Sequence, residues 1–160
     1  MLNLTKALID DPQFKKLLAS IDGGSCPVIL SGLSEIHRAH AAAAIRASTM
    51  RPIVVICSAE DEAARLAQDI SSLSMEQAFT LNAREFTFHE AEVVSRQIEQ
   101  TRIATLTSLL EQNAPIVVMS ISGALQRTIS KHQLLESSLI LRKGNSHDVS
   151  ELSERLILCG

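Results

Sequence analysis

The sequence predicts an α/β fold in which a parallel sheet is sandwiched between helices. Short apolar runs of strand length lie at 28–31, 53–57 and 115–119, and segments with helical spacing separate them. The run at 115–119 has no polar residue, which is typical of a strand that is covered on both faces. Because strands and helices alternate, we expect the strands to pair in parallel.

The first half of the chain predicts a helix followed by a βαβα run. Asp11 and Pro12 are typical of a helix start, and Gly23 with Gly24 is a stop signal for that helix. The elements expected next are strand 28–31, helix 35–48, strand 53–57 and helix 59–73. This order is that of a parallel sheet with helical crossovers.

The second half predicts one more strand pair and then a change of pattern. A short strand at 78–81, an irregular segment at 82–89, a helix at 93–111 and the strand at 115–119 complete the sheet. Short helices at 122–128 and 131–135, a strand at 139–142, a turn at 143–145 and a helix at 148–158 follow. We therefore predict one domain at 1–135 and the first strand and helix of a truncated second domain at 136–160.

A segment after the first predicted strand has the position of a phosphate-binding loop but lacks its residues. Gly32 supplies the first glycine of the G-x-x-x-x-G-K-[ST] pattern. His37, Arg38 and Ala39 stand where the pattern requires glycine, lysine and Ser or Thr. We call the segment the vestigial loop; its residues are Gly32, Leu33, Ser34, Glu35, Ile36, His37, Arg38 and Ala39.

These replacements remove the chemistry that a nucleotide needs. Ala39 has no oxygen to ligate magnesium, and the planar guanidinium of Arg38 does not replace an ammonium in a tight loop. Glu35 adds a negative charge where phosphate would lie. We expect the loop to bind ATP weakly or not at all. The other interpretation is an ordinary strand-to-helix turn with Ser34 as the helix cap.

Composition and motifs give no sign of catalysis by this chain. The net charge is −3, and the sequence has no Trp or Tyr and only four Phe, which disfavours binding to nucleic acid. No nucleophile elbow, catalytic carboxylate pair or metal motif is visible, and no acid follows the strand at 115–119. We predict a protein without catalytic residues, cofactor or metal; a small nucleotide-binding enzyme that tolerates Arg38 is the alternative.

The N-terminal segment indicates where the protein works. It contains no uninterrupted apolar stretch of the kind found in signal peptides, and no run in the chain approaches twenty apolar residues. We therefore expect a cytoplasmic protein without a membrane partner.

Five segments carry a family resemblance, and they are 31–34, 82–89, 116–127, 139–144 and 149–160. Taken in this order, they resemble the bacterial transcription-repair coupling factor family. The resemblance spans about residues 25–160 and implies a RecA-like fold for 1–135. The related excinuclease component UvrB keeps an intact ATP loop and a tyrosine-rich hairpin, whereas this chain has neither. A UvrB-like fragment is thus the poorer match. The last two segments, 139–144 and 149–160, are similar to the start of the family's second domain.

The resemblance implies a structural and recruitment module of a DNA repair protein. In that family, a motor outside the matching region binds ATP and magnesium, translocates on DNA and displaces stalled RNA polymerase. The N-terminal region recruits the excinuclease component UvrA for nucleotide excision repair, mainly through the complete second domain. The resemblance therefore implies neither a cofactor-binding nor a partner-contact residue within this chain.

Overall fold

The computed structural model describes residues 3–84, 96–111, 116–139, 141–144, 146 and 148–159. The chain forms two compact units, Met1–Gln126 and Arg127–Gly160. No helix within these described ranges is both long and apolar enough to cross a lipid bilayer. The sequence-based domain boundary after residue 135 stays a prediction, because compactness alone does not define a second domain.

The larger unit is α/β, as the sequence predicts. Its elements are α1 (Asn3–Asp10), α2 (Pro12–Asp22), α3 (Glu35–Thr49), β1 (Ile53–Cys57), α4 (Glu60–Ser74), β2 (Ala78–Thr80), α5 (Arg96–Glu111), β3 (Ile116–Ser120) and α6 (Ile121–Leu125). The smaller unit contains α7 (Lys131–Glu136) and α8 (Val149–Cys159). Helix α1 is not predicted from the sequence. Helices α2, α3, α4, α7 and α8 match their predicted bounds to within one residue at each end. The predicted start of α5, at 93–95, and the predicted segment 85–89 lie outside the described residues.

The sheet has three parallel strands in the order β1-β3-β2. Ile116 of β3 is the register partner of Ile53 on one side and of Ala78 on the other. The parallel pairing that the sequence predicts is therefore confirmed. At the carboxyl end, Cys57 of β1 pairs with Ser120 of β3, so residues that follow these two strands share one edge of the sheet.

One face of the sheet packs against α3 and α4. The alternation of side chains along a strand places Ile116 and Val118 of β3 on this face, where both are buried. The buried members of this cluster are Ala39, Cys57, Ala63, Leu66, Ala67, Ile70, Ile116 and Val118. Small alanines on both helices allow α3 and α4 to approach each other closely over the sheet.

The opposite face is covered unevenly. Val117 of β3 is only 2% exposed, but its register partner Val54 on β1 is 61% exposed. Ile56, two residues further along β1, is also largely exposed. Thr105 of α5 donates its hydroxyl to the carbonyl of Thr80 at 2.9 Å, so α5 lies beside β2. Among the residues that the structure describes, the β1 end of this face is therefore the less covered end.

The predicted strand at 28–31 is wrong. These residues belong to no strand of the described sheet, and Ile29 is 88% exposed. The apolar run Val28, Ile29 and Leu30 has strand-like composition, but it pairs with neither edge strand of the sheet, β1 or β2. A strand exists only through its hydrogen-bonded partner, which composition alone does not supply.

A second apolar cluster lies where α2 packs on α3. Its buried members are Phe14, Leu17, Ala41 and Ala44. Asp11 fixes the start of α2, because its Oδ1 accepts hydrogen bonds from the amides of Gln13 (2.8 Å) and Phe14 (3.1 Å). This cap confirms the predicted helix start.

Two further predictions need correction. Helix α6 ends at Leu125, whereas a helix to 128 is predicted, because Gln126 adopts an extended backbone. In the smaller unit, residues 139, 141 and 142 of the predicted strand 139–142 have no strand geometry. The described part of that unit offers no second strand with which they could pair. Asp148 caps α8 through the amide of Ser150 at 2.7 Å, as the sequence predicts.

Candidate functional site

The vestigial loop enters α3 through a left-handed turn. Gly32 has φ of +76°, a conformation that favours glycine, and it is exposed. The next residue, Leu33, is half-buried and packs against the second apolar cluster. Leu33 therefore anchors the start of α3 to the second apolar cluster.

Ser34 occupies the cap position of α3 but does not use its side chain as a cap. No amide of the first turn donates to its hydroxyl. Its Oγ instead lies 3.1 Å from Nδ1 of His37, one turn further along the helix. The alternative interpretation of the segment, an ordinary turn capped by Ser34, is thus right in position only.

Arg38, the cation of the vestigial loop, forms an ion pair. Its Nη1 lies 3.0 Å from Oε1 of Glu62 on α4. The second oxygen of Glu62 accepts from the hydroxyl (2.7 Å) and the amide (3.1 Å) of Ser58. These hydrogen bonds from Ser58, and then the charge of Arg38, hold the pKa of Glu62 below its ordinary value. Arg38 is therefore neutralised by an ionised carboxylate.

The remaining loop residues do not converge on a common point. Ala39 is 0% exposed and lies in the core beside the sheet, while Glu35, Ile36 and His37 are exposed. Within the parts of the chain that the structure describes, no group of three or more His, Cys, Asp or Glu could hold a metal ion. The structure thus places the predicted loop residues along one helix start without building a ligand cradle.

The carboxyl edge of the sheet carries a polar network that is not predicted from the sequence. The hydroxyl of Ser120, at the end of β3, donates to Oε1 of Glu60 at the start of α4. The same oxygen accepts from the amide of Ala83 at 3.0 Å, and the amide of Gly123 donates to Oγ of Ser120 at 2.9 Å. Glu60 thereby joins the residues after β2 to the end of β3.

Arg102 extends this network from α5. Its side chain is 2% exposed, and Nη1 donates to the carbonyl of Asn82 at 2.6 Å. Its Nη2 has no hydrogen-bond partner among the residues that the structure describes. Burial, and then the nearby charge of Arg84, lowers the pKa of Arg102. The sequence predicts that Arg102 is solvated. A single arginine in a helical pattern does not reveal that its side chain contacts the backbone of another segment.

Gln126 also forms hydrogen bonds with the segment that follows β2. Its Oε1 accepts from the amide of Arg84 at 2.7 Å, and its Nε2 donates to the carbonyl of Arg84 at 2.9 Å. Residues 82–84 are therefore fixed by side chains from α4, α5 and the end of α6. The sequence gives no signal for this, because it predicts that the helix continues to 128 and so places Gln126 within it. The network thus fixes the backbone of the segment that follows β2.

Comparison with known proteins gives one similarity. No family model matches the chain, and no solved structure matches it. The chain is 25% identical over 160 residues to the transcription-repair-coupling factor of Bacillus subtilis (strain 168). This alignment covers 99% of the chain but only 14% of that relative, so the chain spans a small part of the relative's length. The similarity supports a region related to transcription-repair coupling factors, while a relation to UvrB stays a prediction.

Proposed function

We propose that this chain is a non-catalytic module of a cytoplasmic DNA repair protein of the transcription-repair coupling type. The proposal gives the larger unit a RecA-like ancestry in which the ATP loop has degenerated. It rests on the similarity to the Bacillus subtilis protein over nearly the whole chain and on the state of the vestigial loop. Any ATP-driven motor, with its magnesium, would lie outside this region.

The Arg38–Glu62 ion pair is the observation that carries the proposal. A phosphate at this loop would need a free cation, and the pair at 3.0 Å already neutralises Arg38. Moving Arg38 to a phosphate would break this ion pair and leave the carboxylate of Glu62 with the charge of Arg65 alone. The buried methyl of Ala39 cannot replace the hydroxyl that magnesium would need. These features favour a structural role for the loop over nucleotide binding.

The proposed role is recruitment of the excinuclease component UvrA. The larger unit would act as a rigid support, and the partner would bind mainly through a complete second domain, of which residues 136–160 would be the start. RNA polymerase and DNA would be handled by other parts of the longer protein. We assign no contact residue to this chain.

A nucleotide titration tests the vestigial loop. The purified chain and its Arg38→Ala variant are titrated with ATP and magnesium by isothermal calorimetry. We expect no saturable heat from either protein. Saturable binding at micromolar ATP that the R38A variant loses would overturn the non-catalytic interpretation and favour a nucleotide-binding enzyme.

A binding assay tests recruitment. UvrA is immobilised and probed with the 160-residue chain and with a longer protein that contains this region and a complete second domain. We expect the longer protein to bind and the 160-residue chain to bind weakly or not at all. Failure of the longer protein to bind would refute the proposed partner, whatever the result of the nucleotide titration.

A further inference from the structure

The larger unit contains a cavity that plays no part in the proposed recruitment role. It has a volume of about 290 Å³ and lies between the helices α1, α2 and α3 and the segment that precedes α3. A dry cavity of about 150 Å³ takes up benzene, so this one has room for roughly ten to twelve non-hydrogen atoms. That size suits a small molecule and is too small for a helix or a strand of a partner.

The wall of the cavity is mainly apolar. Its apolar side chains come from four separate segments of the chain, which are brought together by the packing of α2 on α3. They are Leu8, Phe14, Leu17, Leu30, Leu33 and Ala41. The space exists because Ala41 is a small residue on the α3 face that meets Phe14 and Leu17. The transfer of an aliphatic or aromatic group from water to this apolar surface is favourable.

The polar side chains of the wall favour one kind of ligand head group. They are those of Asp11, Gln13, His37 and His40, so the wall has a carboxylate but neither lysine nor arginine. Asp11 uses Oδ1 to cap α2, and its Oδ2 accepts no hydrogen bond from the residues with described positions. Asp11 is exposed, and its carboxylate can accept further hydrogen bonds on that oxygen. The wall therefore favours a hydrogen-bond donor, above all a cationic one.

His40 gives an independent indication that the site is incomplete. Its Nε2 is shielded from solvent and has no hydrogen-bond partner in the described part of the chain. A buried ring nitrogen without a partner has lost its hydrogen bonds to water and has formed none within the protein. His37, by contrast, already lies 3.1 Å from Oγ of Ser34 through its Nδ1. His40 thus contributes an unsatisfied polar group close to the cavity, and the ligand proposed below does not depend on it.

We propose that this cavity binds a small apolar molecule that carries one primary amine. The apolar body occupies the space beside Ala41, Phe14 and Leu17, and the ammonium donates to Asp11. This binding is independent of UvrA and of ATP, because the wall shares only Leu33 and His37 with the vestigial loop.

Three probes of nearly equal size test the proposal. The ¹⁵N-labelled chain is titrated with 4-phenylbutylamine, 4-phenylbutanol and 4-phenylbutyric acid, and amide shifts are followed by NMR. We expect saturable shifts around the cavity, with the amine binding about three- to tenfold tighter than the alcohol and the acid weakest. Absence of saturable binding by the amine, or equal affinity for all three probes, would overturn the proposal.

Two variants and one control locate the binding. Ala41→Leu fills the cavity and should abolish amine binding, whereas Ala64→Leu, an exposed change of the same size on α4, should leave it unchanged. Asp11→Asn keeps a residue that caps helices and should lower amine affinity to that of the alcohol. If A41L does not fold, D11N decides, because an unchanged amine affinity in that variant contradicts the assigned head group.

Discussion

The side-chain amide of Gln126 forms two hydrogen bonds with the backbone of one residue, Arg84. It accepts from the amide at 2.7 Å and donates to the carbonyl at 2.9 Å. A glutamine side chain here satisfies the backbone of Arg84 as a neighbouring strand would. The chain that leaves β2 is consequently held in place after the sheet itself has ended.

Replacing Gln126 with Ala should loosen this hold. The variant loses two hydrogen bonds, and because the site is partly exposed we expect the free energy of unfolding to fall by about 1 kcal/mol. Urea denaturation followed by circular dichroism measures the change. Gln68→Ala, an exposed glutamine on α4, is the matched control and should lie within about 0.5 kcal/mol of the parent chain. Equal unfolding free energies for Q126A and Q68A would show that the two bonds add nothing.

Gly123 should not tolerate a side chain. A Cβ atom at this position would lie 2.7 Å from the backbone oxygen of Leu81, which cannot move without disturbing the chain after β2. We expect Gly123→Ala to lower the free energy of unfolding by about 1–3 kcal/mol through overpacking, despite the better helix propensity of alanine. Ser122→Ala, at the exposed neighbouring position of α6, should be nearly neutral. A stabilised G123A protein in thermal denaturation would contradict the close approach.

The uneven cover of the sheet predicts unequal effects of the same mutation on register partners. Val117 is 2% exposed and Val54 is 61% exposed, although both face the same side of the sheet. Val117→Ala should lower the free energy of unfolding by about 2 kcal/mol, whereas Val54→Ala should change it by less than about 0.5 kcal/mol. Chemical denaturation of both variants checks this. Comparable losses would indicate that β1 is covered on its outer face in solution.

These cases show which parts of the fold were accessible from sequence. The signals of a helix, such as its apolar spacing and a cap like Asp11, are local in the sequence. The sequence therefore predicts most helices and the apolar run that forms β3. The predicted strand at 28–31 is wrong because strand pairing depends on residues far away in the sequence, which the apolar composition around Ile29 does not reveal. The network around Glu60 and Arg102 joins segments 20 or more residues apart, and for the same reason no spacing rule revealed it.

The Cys57 thiol should react slowly, and Glu62 should be part of the reason. Burial, and then the negative charge of Glu62, raises the pKa of Cys57 above its ordinary value of 9.0, while Arg38 opposes this. Glu62→Gln should therefore lower that pKa and speed alkylation of Cys57 by iodoacetamide at pH 8 by a few-fold. Asp61→Asn, which removes an exposed neighbouring charge, is the control and should not. Peptide mass spectrometry separates Cys57 from the exposed Cys26; equal Cys57 rates in E62Q and D61N would exclude an effect of Glu62.

Glu62 should also make stability depend on acid pH. Its pKa is lower in the folded chain than the ordinary value of 4.5, so the carboxylate stabilises the folded state above that pH. This contribution is lost as the pH falls below 4.5 toward the folded-state pKa, because protonation ends the hydrogen bonds from Ser58. The E62Q variant should show a shallower fall in unfolding free energy between pH 5 and pH 3 than the parent chain. Parallel curves for the two proteins would contradict this role.

Ala39 gives the most direct test of whether the vestigial loop can be repaired. Ala39→Ser restores the hydroxyl that the phosphate-loop pattern requires, but position 39 is 0% exposed and packs among apolar side chains. We expect the buried hydroxyl to lower the free energy of unfolding by about 1–3 kcal/mol and to confer no binding of ATP with magnesium. Ala64→Ser, on the exposed face of α4, should change stability far less. Gain of nucleotide binding in A39S without loss of stability would mean that the loop can still turn this position toward a ligand, and the structural interpretation of the loop would then fail.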